Sequence, residues 1–315
     1  MAHSVIHSCK AACIACLMLL LPLTTICHAG GEPADEPVST TEDPARPGWM
    51  RLVYTGNALT GKVTTTLSLV ESSADSLDIP GVRFPDDSIT PVSAQRIYLL
   101  AISAQGAASN TILRIWFDAM TGAVLQRDRL KTGEDGTRKT VRFGPDGAVR
   151  VRLKPADRVQ AQSTPATWMD RKDKVFPYDL ATAGCHHVTV PALLLYIISV
   201  TDNDSAERKL CVFQDGALYR VRLYSAGRKE LAIDYTVSSV AGSYQVTGTR
   251  EIEQIRLDAE SISGDADPDE FELLELRGAI GIQVDTATGL PVVVSGNRGL
   301  YRDIQIYLTE VTLTD

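Results

Sequence analysis

Strict alternation of apolar and polar residues runs through most of the chain after residue 49, and this pattern leaves few folds open. Side chains on a strand point alternately to the two faces of a sheet, so such alternation predicts half-buried β-strands. The alternating runs include MRLVYTG, KVTTTLSLVES, TRKTVRFG, AVRVRLK, LYRVRLY and DIQIYLTEV. Turn dipeptides separate them: Thr121-Gly122, Asp135-Gly136, Asp146-Gly147, Asp215-Gly216 and Thr288-Gly289.

Tight turns of this kind join antiparallel neighbours, so roughly ten to fourteen antiparallel strands are expected. We predict a mainly β protein with a curved antiparallel sheet or an open β-barrel, and one short buried helix near residues 189–200. Glycines inside an alternating run, Gly278 to Gly281, predict a bulge or bend of the sheet.

Two pairs of segments resemble each other within the chain. FDAMTGAVLQR (117–127) is similar to VDTATGLPVVV (284–294), and FGPDGAVRVRL (143–153) is similar to FQDGALYRVRL (213–223). An old duplication of a hairpin unit would explain both pairs. The same favourable hairpin reached twice would also explain them, and we favour that interpretation.

The N-terminal region indicates export. Lys10 precedes an apolar run that ends in Cys27-His28-Ala29, and small residues at −3 and −1 predict a signal peptide over 1–29. Lipidation at Cys16 or Cys27, or an uncleaved anchor, are the alternatives. Residues 30–48 hold four prolines and five acidic residues without a large apolar side chain, which predicts a disordered tether. The β-rich domain then covers 49–315, with a possible division into two sub-sheets near 160–185, in a periplasmic protein that is not integral to the membrane after cleavage.

Cleavage would leave two of the six cysteines, Cys185 and Cys211. An even pair in an exported chain favours a disulfide, although two separately buried thiols stay possible. A bridge that closes a loop of this length stabilises a fold by roughly 3 kcal/mol. The chain carries 31 basic and 39 acidic residues, a formal net charge of −8. This balance argues against nucleic acid or anionic membrane surfaces as electrostatic partners.

The segment AGCHHVTVPALLLYIISV (183–200) allows three interpretations. His186 and His187 are neighbours whose side chains diverge on a strand or a helix, so a shared metal ion is disfavoured. The apolar run is shorter than the ~20 residues that a bilayer span requires. A buried helix fits best, with Thr189 as a possible cap and Pro191 in its first turn. A fully buried strand is the alternative.

The order of these segments resembles a DUF3108-type family of exported bacterial proteins. YTGNALTGKVTTTLSL is similar to that family's first hairpin, and QDGALYRVRLYSAGRKEL to its Asp-Gly strand with a later Gly-x-x-Glu-Leu. The closing VDTATGLPVVVSGNRGLYRDIQIYLTEV matches its Asp-x-x-Thr-Gly-Leu-Pro pattern. The acidic insertion at 264–270 and the cysteine pair depart from the pattern. The resemblance implies a curved antiparallel sheet or open barrel, reminiscent of periplasmic lipoprotein carriers, and no defined activity.

Catalytic motifs are weak in this sequence. No Gly-x-Ser-x-Gly turn marks a nucleophile, and His186 and His187 have no evident partner. The carboxylates considered as an acid/base pair are Asp118, Glu230, Asp234, Glu275 and Asp285; on strands, such residues are more often solvated. The acidic segment Asp265–Glu270 lacks the glycine of a calcium-binding loop, and Asp202–Asp204 is a weaker case. We expect no catalytic residue, no metal and no cofactor.

Three functions remain. The leading hypothesis is a periplasmic, non-enzymatic binding or carrier protein for a hydrophobic or lipid-like ligand, because a curved sheet with an apolar face can enclose a cavity. The candidate lining residues are Trp116, Leu193, Leu194, Tyr196, Ile197 and Tyr219, with plain core as their alternative role. The second hypothesis is an envelope assembly or interaction factor that reaches a protein partner through the tether. The third is an envelope hydrolase.

Overall fold

The computed structural model describes residues 47–58, 61–85, 89, 92–105, 110–133, 135–201, 207–262, 266–299 and 301–314. The predicted signal peptide lies outside these residues, as does the tether apart from residues 47 and 48. Residues 202–206 and 263–265, which include Asp202–Asp204 and the start of the acidic loop, also lie outside them.

Strands dominate the described part of the chain, as the alternation predicts. They are β1 (Trp49–Ala58), β2 (Gly61–Ser72), β3 (Ile97–Gln105), β4 (Asn110–Asp118), β5 (Val124–Lys131), β6 (Thr137–Gly144), β7 (Gly147–Lys154), β8 (Asp170–Pro177), β9 (Glu207–Gln214), β10 (Ala217–Ser239), β11 (Gly242–Ser261), β12 (Glu272–Leu273), β13 (Leu276–Asp285), β14 (Pro291–Arg298) and β15 (Tyr301–Leu313). The α-helices are α1 (Arg158–Ala161), α2 (Leu180–Ala183) and α3 (Leu194–Val200). Short 3₁₀ turns cover Ala74–Leu77, Pro165–Thr167, Pro191–Leu193 and Pro268–Glu270.

All of these strands belong to one sheet. Its order is β8-β7-β6-β5-β4-β3-β2-β1-β15-β14-β13-β11-β10-β9, with β12 beside β13. The neighbours along this order are antiparallel, and the end of β10 also pairs in parallel with the end of β15. The sheet is not closed into a barrel. The chain leaves the sheet between β8 and β9, yet the pairing of β1 with β15 joins the strands before and after that excursion.

The two edges of the sheet are protected differently. On β8, the edge strand, Arg171, Lys172, Asp173 and Lys174 are exposed, and charged side chains discourage edge-to-edge association. On β9, Thr189 forms a parallel bridge with Val212, so that backbone from the preceding segment covers part of the edge.

One face of the sheet, which we call the inner face, carries the main core. Leu67, Leu100 and Ile115 lie on it and are fully buried, and Leu100 stands directly opposite Ile115 in the sheet. The segment 188–200 packs against this face. The Tyr196 ring lies 4.7 Å from the ring of Phe117 on β4 in an edge-to-face arrangement, and its hydroxyl donates to the Ala119 carbonyl at 3.4 Å. This explains why Tyr196 is buried although it carries a hydroxyl.

The short buried helix is confirmed. Pro191 opens a 3₁₀ turn that continues into α3, and Leu193, Leu194 and Leu195 have no exposed surface. The helix ends where Thr201 turns to extended backbone. The expectation that Thr189 caps the helix is wrong, because Val190 occupies the N-cap position without a side-chain hydrogen bond. The backbone of Thr189 instead forms hydrogen bonds with β9: its N–H donates to the Cys211 carbonyl, and its carbonyl accepts from the Phe213 N–H.

The entry to this helix is fixed from both sides. Cys185 and Cys211 form the predicted disulfide, with their Cα atoms 6.0 Å apart. On the other side the Val124 N–H, at the start of β5, donates to the Val188 carbonyl at 2.9 Å. The segment 185–190 therefore connects β9, at one edge of the sheet, to β5 in its other half.

The first pair of similar segments, 117–127 and 284–294, forms the same type of turn at two places in the sheet. Asp118 accepts hydrogen bonds from the Met120 N–H and the Thr121 hydroxyl, and its carbonyl accepts from the Gly122 N–H. Asp285 makes the same three contacts with Ala287, Thr288 and Gly289. Both glycines have positive φ, +72° and +68°, a conformation that glycine adopts without strain.

The order of the similar segments along the chain favours two independent occurrences of the same hairpin over an old duplication. The Asp118 turn joins β4 to β5 and precedes the Asp146 turn, whereas the Asp285 turn joins β13 to β14 and follows the Asp215 turn. A tandem copy of a block that holds both turns would keep their order.

The predicted bulge is confirmed, because the pairing of β13 with β14 shifts register between Arg277 and Gly281, next to Gly278 with φ +68°.

Candidate ligand-binding site

A cavity of about 620 Å³ lies against the inner face of the sheet. This volume falls within the range of about 300–1,000 Å³ that is typical of small-molecule sites. Its residues come from β1–β5, from 190–192, from the β9–β10 turn and from β12–β15. They are Gly56, Val63, Thr65, Ile102, Ala104, Thr111, Leu113, Ile115, Arg127, Arg129, Val190, Pro191, Ala192, Gln214, Asp215, Glu272, Leu274, Glu275, Leu276, Arg298, Gly299, Tyr301, Ile304 and Ile306.

The lining has an apolar part and a charged part. Strands β2, β3 and β4 contribute aliphatic side chains such as Ile102, Leu113 and Ile115, with two threonines. Strand β5 contributes Arg127 and Arg129, which stand directly opposite Ile115 and Leu113 in the sheet. The boundary between apolar and cationic surface therefore runs between β4 and β5.

A strained turn forms another part of the wall. Leu274 and Glu275 join β12 to β13 as a two-residue loop, and both have positive φ, +50° and +66°. Two-residue hairpin loops with this conformation strongly prefer Asn-Gly, because other residues pay a steric cost there. Glu275 pairs with Arg298 on β14, which connects the loop to the neighbouring hairpin.

The inner face becomes strongly cationic beyond β4. Seven basic residues on β5–β8 form what we call the cationic ladder: Arg127, Arg129, Lys139, Arg150, Arg152, Lys172 and Lys174. One cross-strand row runs from Arg129 through Lys139 and Arg152 to Lys172. The second row runs from Arg127 through Val141 and Arg150 to Lys174. Like charges directly opposite each other on a sheet are destabilising, so this arrangement is costly to the fold.

Few carboxylates compensate the ladder. Among the described residues, only Asp215 and Asp170 lie within 4.0 Å of it, at 3.6 Å from Arg127 and at 4.0 Å from Arg152. Asp215 reaches the ladder from the Asp215-Gly216 turn, and the close approach of Phe176 leaves no room for a Cβ at Gly216. The Phe176 ring also makes cation–π contacts with two ladder residues: Cζ of Arg150 lies 5.0 Å and Nζ of Lys174 lies 4.8 Å from the ring centroid.

Three arginines of the ladder are incompletely satisfied. The Nε atoms of Arg127, Arg150 and Arg152 are buried and have no hydrogen-bond partner among the described residues. Burial lowers the pKa of Arg127, an effect that Asp215 opposes and Arg129 and Arg150 increase. Burial, with the neighbouring arginines, likewise lowers the pKa of Lys139. These groups face one another in a partly desolvated setting without enough counter-charge.

The six residues that sequence analysis proposed as lining lie elsewhere in the core. Leu193, Leu194, Tyr196 and Ile197 belong to the helical segment, and none of them lines this cavity; Val190, Pro191 and Ala192 do so instead. Trp116 is on the opposite face, where its indole N–H donates to the Ser76 hydroxyl at 2.9 Å.

Tyr219 is the sixth of these residues and also lies outside the cavity lining. It packs edge-to-face on Phe271, with the ring centroids 5.4 Å apart. Burial raises the pKa of Tyr219.

The carboxylates considered for catalysis are engaged in the fold or exposed. Asp118 and Asp285 hold the two equivalent turns described above, and Glu275 pairs with Arg298. Glu230 and Asp234 are exposed on β10, where Asp234 accepts from Gln245.

The two histidines differ in their surroundings. His186 is exposed, whereas His187 is partly buried. Burial is the largest cause that lowers the pKa of His187; His186 lowers it further, and Asp118 opposes both. Within the described residues, no group of three or more histidine, cysteine or acidic side chains is placed to hold a metal ion. The helices of the described segments are all too short to cross a bilayer.

Comparison with known proteins adds no assignment. No family model matches the chain, no curated protein is detectably similar in sequence, and no solved structure matches the fold.

Sequence reasoning overlooked the cationic ladder. The basic residues of VLQRDRLK, TRKTVRFG, AVRVRLK and DRKDKVFP were placed correctly on strands, and basic residues on alternating strands usually lie on a solvated face. The available signal was their recurrence at alternate positions over four successive strands. Whether they faced the core side could be decided only by the register between the strands.

Proposed function

We propose that the protein is a non-enzymatic binding or carrier protein for a hydrophobic or lipid-like ligand in the periplasm of a bacterial cell envelope. The observation that carries this proposal is the cavity of about 620 Å³ with aliphatic side chains from β2, β3, β4 and β15 along its walls. An apolar space of this size is suited to an acyl chain or a similar group.

The construction of the cavity also supports a binding role. Pro191 and Ala192, at the start of the buried helical segment, form part of the lining. The next residues, Leu193–Leu195, fill the core beside the cavity. The space is therefore bounded on one side by a well-packed segment, and pre-formed sites bind ligands without a large ordering cost. The Cys185–Cys211 bridge supports an oxidising compartment such as the periplasm.

The experiment is native mass spectrometry of the full chain purified from the periplasm without detergent, followed by extraction and identification of bound molecules. We expect a discrete adduct of lipid mass. The variant Thr65→Trp fills the cavity from β2 and should abolish the adduct. Thr66→Trp is the matched control, because the next residue of the strand points to the opposite face, and it should keep the adduct.

A folded wild-type protein that shows only its own mass, and takes up no lipid when lipid is added, would contradict the proposal. Equal adducts in both tryptophan variants would show that the bound molecule lies outside this cavity, and would contradict the proposed site.

A further inference from the structure

The fold explains only part of the cationic ladder: Lys172 and Lys174 protect the edge strand β8, whereas the five cations on β5–β7 have no such role. Members of its first row stand directly opposite one another on adjacent strands, as Lys139 does between Arg129 and Arg152. The chain as a whole is acidic, with a formal net charge of −8, so a cluster of seven cations with two nearby carboxylates is a strong local departure. Charges that oppose folding and are nevertheless present point to a function.

The ladder also presents hydrogen-bond donors that nothing in the described structure uses. Arg127 is only 8% exposed, and its buried Nε has no partner. The same is true of Nε in Arg150 and Arg152. Buried polar groups in folded proteins are nearly always paired, so three unpaired donors within one cluster call for an explanation, and a bound anion would supply one.

The ladder is continuous with the apolar cavity. Arg127 and Arg129 belong to the lining, and their direct neighbours across the sheet, Ile115 and Leu113, belong to it as well. A molecule that filled the apolar part would therefore bring its end to within reach of these two guanidinium groups.

We propose that the ligand is an amphiphile whose anionic, phosphate-type head group binds the cationic ladder while its apolar chain fills the cavity. This inference rests on the proposed function and specifies the chemistry of the ligand. Guanidinium groups bind phosphate and carboxylate through parallel charge-assisted hydrogen bonds. The two rows of cations favour a head group with more than one negative charge over a single carboxylate.

Asp215 occupies the position of a substitute anion. It lies 3.6 Å from Nη2 of Arg127, but its own side chain is 58% exposed. A single exposed carboxylate offsets little of the charge of Arg127 and its neighbours. A bound head group would supply the remaining counter-charge and accept from the unused Nε donors.

Isothermal titration calorimetry of the full chain tests this proposal with three probes used below micelle-forming concentrations. Dodecyl phosphate carries both parts of the proposed ligand, 1-dodecanol carries the chain alone, and inorganic phosphate carries the head group alone. We expect dodecyl phosphate to bind about tenfold or more tightly than dodecanol, and inorganic phosphate to bind far more weakly than either. Added salt should weaken the binding of dodecyl phosphate and leave that of dodecanol unchanged.

A pair of variants locates the head-group site. Arg129→Met should reduce the affinity for dodecyl phosphate by about tenfold and leave that for dodecanol unchanged. Arg114→Met is the matched control, since Arg114 lies on the neighbouring strand, faces the other side and is 42% exposed; it should change neither affinity.

The outcomes separate this inference from the function on which it rests. Equal affinities for dodecyl phosphate and dodecanol would overturn the anionic head group and leave a hydrophobic carrier. Phosphate alone binding as tightly as dodecyl phosphate would overturn the link between ladder and cavity. Failure of both amphiphiles to bind would remove the proposed function together with this inference.

Discussion

The inner face of the sheet follows two different rules in its two sections. On β3, Leu100 stands between Leu69 and Ile115, and all three are buried. On β6, Lys139 stands between Arg129 and Arg152. Both sections have the same alternation and the same antiparallel pairing. The first section therefore stabilises the sheet through its side chains, whereas the second keeps side chains that repel each other.

This contrast shows where stability and function are divided in the molecule. Apolar cross-strand neighbours contribute burial, and removing one weakens the fold. Facing cations contribute repulsion, and removing one relieves it. Substitutions in the two sections should therefore change the free energy of unfolding in opposite directions, and the predictions below begin with the largest change.

The largest effect is expected in the apolar section. Leu100→Ala should lower the free energy of unfolding by about 2–5 kcal/mol, because the side chain is fully buried and its loss leaves a cavity. Urea denaturation of the oxidised protein measures this change. Val70→Ala, on the adjacent strand with 53% exposure, is the control and should change stability by about 0.5 kcal/mol or less. A Leu100→Ala loss as small as that of the control would refute the assignment of this section as the core.

The next effect concerns the turn in the cavity wall. Glu275→Gly should raise the free energy of unfolding by about 1 kcal/mol, because glycine adopts the positive φ of +66° without steric cost. The ion pair with Arg298 is partly exposed, so its loss reduces this gain in the free energy of unfolding only slightly. Glu275→Gln loses the same ion pair and keeps the backbone strain, and thermal unfolding should show no stabilisation in that variant. Equal stability of the two variants would mean that the turn is not strained.

The cationic section should respond with the opposite sign to the apolar one. Lys139→Met should raise the free energy of unfolding by about 0.5–1 kcal/mol, because it removes a charge that faces two arginines. Lys131→Met, on β5 opposite two threonines, is the control and should be close to neutral. If Lys139→Met destabilises the protein in chemical denaturation, the ladder contributes to the fold and the contrast between the two sections fails.

The sequence predicted the apolar section well and the cationic one poorly, for a physical reason. Alternation places Leu67, Leu100 and Ile115 on strands and on one face, and burial follows from their hydrophobicity. The same alternation places Arg150 and Lys139 on strands, but it does not say which face turns inward when the charged residues alternate with apolar ones. That decision depends on strand order and register, which are set by contacts between distant parts of the chain.

The helix itself shows the same limit on a smaller scale. The uncharged run from Ala192 to Ile198 predicts burial, and it is buried. The sequence did not reveal which of its residues would face the cavity. That depends on how the segment is anchored, and Thr189 pairs with β9 rather than capping the helix. The lining therefore begins at Val190, Pro191 and Ala192, and the leucines that follow fill the core.

The smallest expected effect lies at the segment that joins the two sections of the inner face. His187 precedes Val188, whose carbonyl accepts from β5. Burial, and to a lesser degree His186, lowers the pKa of His187 below its ordinary value of 6.5 in the folded protein, and Asp118 opposes this only in part.

The unfolded chain therefore holds this proton more tightly than the folded one. As the pH falls below 6.5 towards the lowered folded pKa, the free energy of unfolding should decrease, and below that pKa the contribution becomes constant. Urea denaturation between pH 5 and pH 8 should show a shallower slope in His187→Gln than in the wild type. His186→Gln should keep most of the wild-type slope, because the burial of His187, the larger cause, is unchanged. Parallel slopes in the wild type and His187→Gln would mean that His187 is as accessible to protons in the fold as in the unfolded chain, and that the joint between the two sections is looser than its hydrogen bonds indicate.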